Sequence, residues 1–166
     1  MAQLRMVSGR LFGRGSESGT AAIEFAIFVP FFLLPLLTGI VELGLSAYEA
    51  MQVSNAVEAG AIYAAANAAT TFSAANTASA TISGAVLPSG LNTLTATPAP
   101  TQYCGCPSAS GSVSNLGARP CSTTACSGGA AGTYVQVNAS LKHMAIFPTS
   151  WGLPTAFTAT AVIRTN

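Results

Sequence analysis

The chain has 166 residues and a formal net charge of +1; half of it is hydrophobic, only 7% is charged, aspartate is absent and histidine occurs once. An average soluble domain is about 25% charged, so this composition offers no basic stripe for a nucleic acid and few acid–base groups for catalysis. No nucleic-acid partner, small-molecule substrate, cofactor or metal is expected, and no catalytic residue is assigned.

The N-terminal arm, residues 1–19, carries Arg5, Arg10 and Arg14 against Glu17 alone. Then comes "FAIFVPFFLLPLLTGIV", uncharged between Glu24 and Glu42. With "TAAI" upstream it is long enough for a helix to cross about 30 Å of hydrocarbon. A cleaved signal peptide is the competing reading, but its apolar core spans only about 7 to 15 residues before a small-residue site. This run is longer and no polar break follows it, so an uncleaved anchor over residues 20–42 is expected. Pro30 and Pro35 each remove a backbone donor and are expected to kink the helix, as membrane helices tolerate. Arginines before the anchor and none close behind it keep the N-terminus cytoplasmic. The C-terminal part then lies in the periplasm or outside the cell.

Helical spacing continues past the anchor through Leu43, Ala47, Ala50, Ser54, Val57, Ala61, Ala64 and Ala68, which alternate by four and three along one face. Glu42, Glu49 and Gln52 fall off this seam, on a face free to be wet, and Glu42 marks the point where the helix leaves the bilayer. Alanine favours the helix, so one helix is expected from about Thr20 to about Ala69, with residues 43–69 as its extracytoplasmic half. The alanine seam reads as core packing.

The remainder, residues 70–166, reads as a small domain. Ala75, Ala78, Ile82 and Val86 form a helical stripe that Pro88 and Gly90 close. "LNTLTATP" suggests a short strand. Residues 98–132, rich in Pro, Gly, Ser, Thr and Cys, read as a loop. In "TYVQVNASLK", Val135, Val137, Ala139 and Leu141 face one way and Tyr134, Gln136, Asn138 and Ser140 the other. In "AFTATAVIR", Phe157, Ala159, Ala161 and Ile163 oppose Thr158, Thr160, Val162 and Arg164. Such alternation marks half-buried antiparallel strands. "FPTSWGLP" is the turn between them, with Trp151 directed to the core. The expected fold class is α+β, a long helix whose outer half packs on a small antiparallel sheet.

Cys104 and Cys106 in "CGC", and Cys121 and Cys126 in "CSTTAC", suit either zinc or disulfides. One residue between ligands is tight for a zinc site, where two to four are usual. Cysteines outside the cytoplasmic membrane are normally oxidised. Three connectivities are open; a bond across "CGC" is strained, which favours pairing Cys104 and Cys106 with Cys121 and Cys126. His143 has no aspartate to orient it and is expected simply to end its strand. The glycosylation pattern "NAS" puts Asn138 within a strand, a poor place for modification.

"GTAAIEFA" followed by an apolar run resembles the opening of type IV pilin-like proteins. More specifically, "GTAAIEFAIFVPFFLLPLLTGIVELG", "MQVSNAVEAGAIYAA" and the closing "TAFTATAVIR" resemble the TadE family of the tight-adherence pilus system. The likeness is strong over residues 19–66, moderate over 133–164 and absent between. It implies a pilin-like fold and a prepilin peptidase cut between Gly19 and Thr20, leaving Glu24 fifth in the new chain with Phe25 after it. It also implies that Glu24 pairs with the new amine of its own chain or of an incoming neighbour and so sets register between helices. The expected function is a non-enzymatic, membrane-anchored minor pseudopilin acting in pilus assembly. Its expected partners are the inner membrane, other pilin-like proteins, the assembly platform and prepilin peptidase. The alternative is a membrane-tethered binding or adhesin module stapled by disulfides.

Overall fold

A computed structural model of the chain describes residues 16–67, 71–87, 93–118, 121, 125–127, 129–146 and 154–165. Arg5, Arg10, Arg14, Ala68, Pro88, Gly90, Arg119 and Trp151 lie outside these residues. The chain is α+β, with one long N-terminal helix packed on a small antiparallel sheet. It divides into two compact units, Met1–Val41 and Glu42–Asn166.

In the first unit, α1 (Ser16–Phe28) leads into a π turn (Val29–Leu33) and then α2 (Leu34–Asn67). A proline ring collides with the carbonyl four residues back and brings no N–H to it. The wider turn accommodates this at Pro30: Leu34 N–H reaches five residues back to Val29 O. Pro35 stands just inside the resumed α-helix, where the Thr38 hydroxyl donates to Leu34 O (2.8 Å) and lies 3.0 Å from Pro35 O. The apolar side chains here face outward; Phe31, for example, is 73% exposed. The helical stretch Gly19–Asn67 is long and apolar enough to cross a membrane, with a mean hydropathy of 2.2 over its most apolar window and 6% of that window buried.

In the second unit, α2 buries Glu42, Glu49, Val53, Ala56, Val57, Gly60, Ala61 and Ala64. The expected seam is therefore corrected in its first half. Leu43, Ala47 and Ser54 are exposed, and the buried face begins with the two glutamates. The carboxylates could move inward because the fold supplies a partner for them.

α3 (Ala74–Ser83) is N-capped by Ser73, whose Oγ accepts from Asn76 N–H (3.3 Å). Its buried residues are Thr77 and Thr81, whereas Ile82 and Val86 are exposed, so the expected stripe is overturned. Threonine can face the core because each hydroxyl turns back to its own helix: Thr77 to Ser73 O (2.9 Å) and Thr81 to Thr77 O (2.8 Å). The helix ends at Ser83, with Gly84 as its cap. The following segment is tied to α2, where Tyr48 Oη donates to Val86 O (2.6 Å) and Gln52 Oε1 accepts from Val86 N–H (2.8 Å). The close approach of α3 and the sheet to α2 depends on small residues. A Cβ at Gly60 would run into Thr81 Oγ1 and lie 2.9 Å from Val137 Cγ1.

The sheet is built around β6 (Gly132–Lys142). One side of β6 pairs with β2 (Thr101–Pro107) and β1 (Leu94–Thr95), and the other pairs with β7 (Ala156–Arg164); β3 (Val113–Asn115) lies beyond β2. β4 (Ala125–Cys126) and β5 (Gly129–Ala130) form a separate small pair. Val135, Val137, Ala139 and Leu141 of β6 are buried against α2, and Phe157, Ala159, Ala161 and Ile163 of β7 pack beside them. The alternation read in both strands therefore holds on the core side. The opposite face of β6 is not simply wet. Tyr134 is buried on Tyr103, with centroids 6.1 Å apart. Asn138 is buried, donates to Pro98 O (3.2 Å) and accepts from Gln136 Nε2 (3.1 Å) and Thr160 Oγ1 (2.9 Å). A glycan has no access to it.

Residues 98–132 are likewise not a plain loop, since β2 and β3 lie within them. Their turn-rich composition hid strands whose partner, β6, is distant in sequence. Cysteines at alternate positions lie on one side of β2, and the intervening Gly105 has no room for a Cβ: one placed there would lie 3.0 Å from Tyr134 Cδ2 and 3.2 Å from Ser114 O. Cys104 joins Cys121 and Cys106 joins Cys126, with Cα separations of 5.3 Å and 5.6 Å.

Two outcomes test this packing. Gly60→Ala should destabilise the chain by about 1–3 kcal/mol through overpacking, measured by chemical denaturation in detergent. Non-reducing peptide mapping should recover Cys104–Cys121 and Cys106–Cys126 with no free thiol, and loss of either bridge should cost about 2–4 kcal/mol.

Candidate functional site

The most elaborated polar feature of the second unit is a buried cluster of three ionisable side chains. Glu42 and Glu49 lie seven residues apart on α2, two helical turns, which brings both onto nearly the same face. His143 follows the last residue of β6, and its backbone N–H donates to Thr155 O (3.0 Å), which fixes the strand end against the start of β7. The His143 ring enters the gap between the two carboxylates. Nδ1 lies 2.5 Å from Glu49 Oε2, and Nε2 lies 2.8 Å from Glu42 Oε1. The other oxygen of Glu42 accepts from Ile146 N–H (2.9 Å). Phe157 closes one side, edge-on to the imidazole at 5.5 Å. Glu42 is 1% exposed, Glu49 7% and His143 5%.

This geometry determines the protonation state. A neutral imidazole has one N–H and one bare nitrogen. The bare nitrogen would face a carboxylate oxygen lone pair to lone pair. With both ring nitrogens on carboxylates, the favourable state is the imidazolium, which donates from both. Burial pushes the His143 pKa down, but the hydrogen bonds to Glu49 and Glu42, together with their charges, outweigh that and hold it above its ordinary value of 6.5. Among the described residues, no buried side-chain nitrogen or oxygen lacks a partner.

Chemically, the cluster is closed. Neither imidazole nitrogen is left to accept a proton from a substrate, and the carboxylates are already engaged. Among the described residues, no group of three His, Cys, Asp or Glu is arranged to hold a metal. The arrangement acts as an ionic clamp, tying the end of β6 and residues 143–146 to α2. The expectation that Glu42 and Glu49 lie on a wet face is corrected here. His143 does follow its strand directly, but as the centre of the clamp. A signal was present: two of only five acidic residues stand seven apart, and Glu49 lies four before buried Val53.

The positions expected to matter for assembly lie in the first unit. Gly19 and Thr20 fall inside α1, and no atom lies within 4 Å of a Cβ built at Gly19. Glu24 and Phe25 follow one turn later, both exposed. Cys121 and Cys126 are brought to Cys104 and Cys106 of β2, across sequence separations of 17 and 20 residues.

Because the chain has one histidine, its NMR signal reports the clamp directly. In detergent-solubilised full chain, His143 should titrate with a midpoint above 6.5, and Glu49→Gln should lower that midpoint. A histidine pKa raised by folding stabilises the folded state fully below the unfolded value, and the contribution is lost as pH rises through the folded value. Stability should therefore fall between about pH 6.5 and the measured midpoint, and this dependence should vanish in His143→Gln.

No curated protein and no solved structure matches the chain. Residues 19–61 match the family described as TadE-like protein, and this match begins at the glycine before Thr20 and runs through Glu24, both prolines and both clamp glutamates.

Proposed function

We propose that the chain is a non-enzymatic, single-span component of a tight-adherence pilus system, acting as a minor pseudopilin in fibre assembly. The observation that carries this reading is the TadE-like match over residues 19–61, whose part before Glu42 is a helix with its apolar side chains facing outward. Exposed aromatic and aliphatic side chains in such number are costly in water and suited to lipid or to neighbouring apolar helices. In this reading the arginine-bearing arm is cytoplasmic and residues 42–166 are periplasmic, where the two disulfides are stable.

The proposed assembly determinant is Glu24. A carboxylate near the start of a membrane helix is favoured by the helix N-terminus by about 0.3–1 kcal/mol. Cleavage between Gly19 and Thr20 would add a positive amine one turn away, and pairing with that amine, or with a neighbour's, would set the register between helices. Prepilin peptidase, other pilin-like proteins and the assembly platform are the proposed partners.

Intact-mass measurement of the purified protein tests the cut: a chain beginning at Thr20 is expected, and an intact Met1 would remove it. Glu24→Ala should leave membrane insertion unchanged while reducing co-purification with pilin-like proteins and the number of pili. Normal piliation in that variant would overturn the pairing role.

A further inference from the structure

The clamp fixes where the segment after β6 stands. His143 Nε2 lies 2.8 Å from Glu42 Oε1, and Ile146 N–H donates to the other oxygen of the same carboxylate (2.9 Å). Glu42 therefore grips the segment 143–146 at both its ends. Glu42 also follows Val41 directly, and the chain is uncharged from Phe25 to Val41. One glutamate side chain thus separates residues 143 and 146 from the point on the backbone where the uncharged run stops. This follows from the covalent chain and from contacts inside the second unit alone.

Exposure alternates along the same segment. His143 is buried, whereas Lys142, Met144 and Ile146 are exposed, Met144 at 60% and Ile146 at 55%. On α2, exposed apolar side chains likewise continue past Glu42 in Leu43 and Leu45. A single exposed Met or Ile is ordinary. Here four such side chains sit on residues that follow Glu42 or are held by it, and a lysine stands beside them. Apolar side chains next to a long cation suit the boundary of a bilayer, where the former enter the acyl region and the ammonium stays at the phosphates. The headgroup layer is about 5–7 Å deep on each side, within the reach of such side chains.

We propose that residues 142–146 make a second, shallow contact with the bilayer that α2 leaves. Met144 and Ile146 enter its interface, and the Lys142 ammonium meets the phosphates of anionic lipids. The contact rests on the reading of the uncharged helix as a membrane span. In that reading the bilayer already ends beside Val41, so lipid is present where Glu42 holds the segment, whereas a protein partner would have to be brought there. The clamp gains a purpose beyond closing the core: by gripping both His143 and Ile146 it keeps the exposed side chains between and beside them at the level of the headgroups.

The test places the full chain, one copy per disc, in lipid nanodiscs of phosphatidylethanolamine and phosphatidylglycerol, and follows its isotope-labelled methionine methyl groups by NMR. Met51, also exposed, is the internal comparison, since it lies about 14 Å further along α2 than Glu42. A nitroxide-bearing lipid should broaden the Met144 signal more than that of Met51, and a water-soluble gadolinium chelate should do the reverse. Ile146→Ser and Lys142→Gln should each cut the nitroxide effect at Met144 by about half or more, with the His143 signal, the disulfide map and entry into discs unchanged. If Ile146→Ser disturbs the His143 signal, Lys142→Gln, which lies outside the clamp, carries the comparison. A chain that does not enter discs would remove the span and this contact together. A chain that enters them with Met144 as open to the chelate as Met51 would overturn the contact alone. Shielding of Met144 only after other pilin-like chains are added would assign the segment to a protein partner and overturn the proposal as well.

Discussion

A single imidazole held between two carboxylates fixes how the second unit closes. Without His143, Glu42 and Glu49, buried seven residues apart on α2, would each lose an imidazole nitrogen as hydrogen-bond partner. Taking such a partner from a buried carboxylate is strongly unfavourable. The imidazolium satisfies both at once, and it reaches them only if β6 ends at Lys142 with its last carbonyls and amides against β7. The clamp therefore ties the helix, the central strand and the last strand to one another at one end of the core, in a way that apolar contact, being non-directional, would not.

The rest of the core depends on close approach more than on bulk. Ala56, Gly60, Ala61 and Ala64 present almost no side chain, and threonines rather than leucines fill the facing positions of α3. The larger buried apolar residues are Val53 and Val57 of α2, Leu94 of β1, and Val135, Val137 and Leu141 of β6. A core this thin gains modestly from each residue, since a buried Val or Leu contributes roughly 1.5–3 kcal/mol. Two covalent bridges across β2 and a charged clamp across α2 are consistent with a unit of that size needing further fastening.

Much of the fold was legible in the residues, and the failures share a cause. The long helix and the alternation of β6 and β7 are local periodic signals, and they hold. Apolar spacing misplaces the buried face of α2 from Glu42 to Glu49, because it assumes that apolar residues face inward. Leu43 and Ala47 do not, since Glu42 and Glu49 find His143 about a hundred residues away. The same spacing selects Ala75 and Ile82 over Thr77 and Thr81 for a related reason: a hydroxyl that bonds its own helix is no longer polar to its neighbours. β2 reads as loop because its composition says turn while its partner is non-local. Each miss is a polar residue or turn former whose burden is lifted by a contact that no local window contains. The site followed the same rule, since its three members are unremarkable one by one and informative only together.

The clamp also changes how the second unit behaves as a particle in solution. It withdraws two glutamates and the lone histidine from the surface, and the sequence from residue 42 onward then retains only Glu58, Arg119, Lys142 and Arg164 as other charged side chains. A coat this sparse in charge generates little long-range repulsion or attraction, so ionic strength has little to screen. Hydration must come instead from hydroxyl and amide groups, and such surfaces approach one another without an electrostatic barrier. A crowded layer of these units could therefore pack side by side with little colloidal resistance, its contacts chosen by shape rather than by charge.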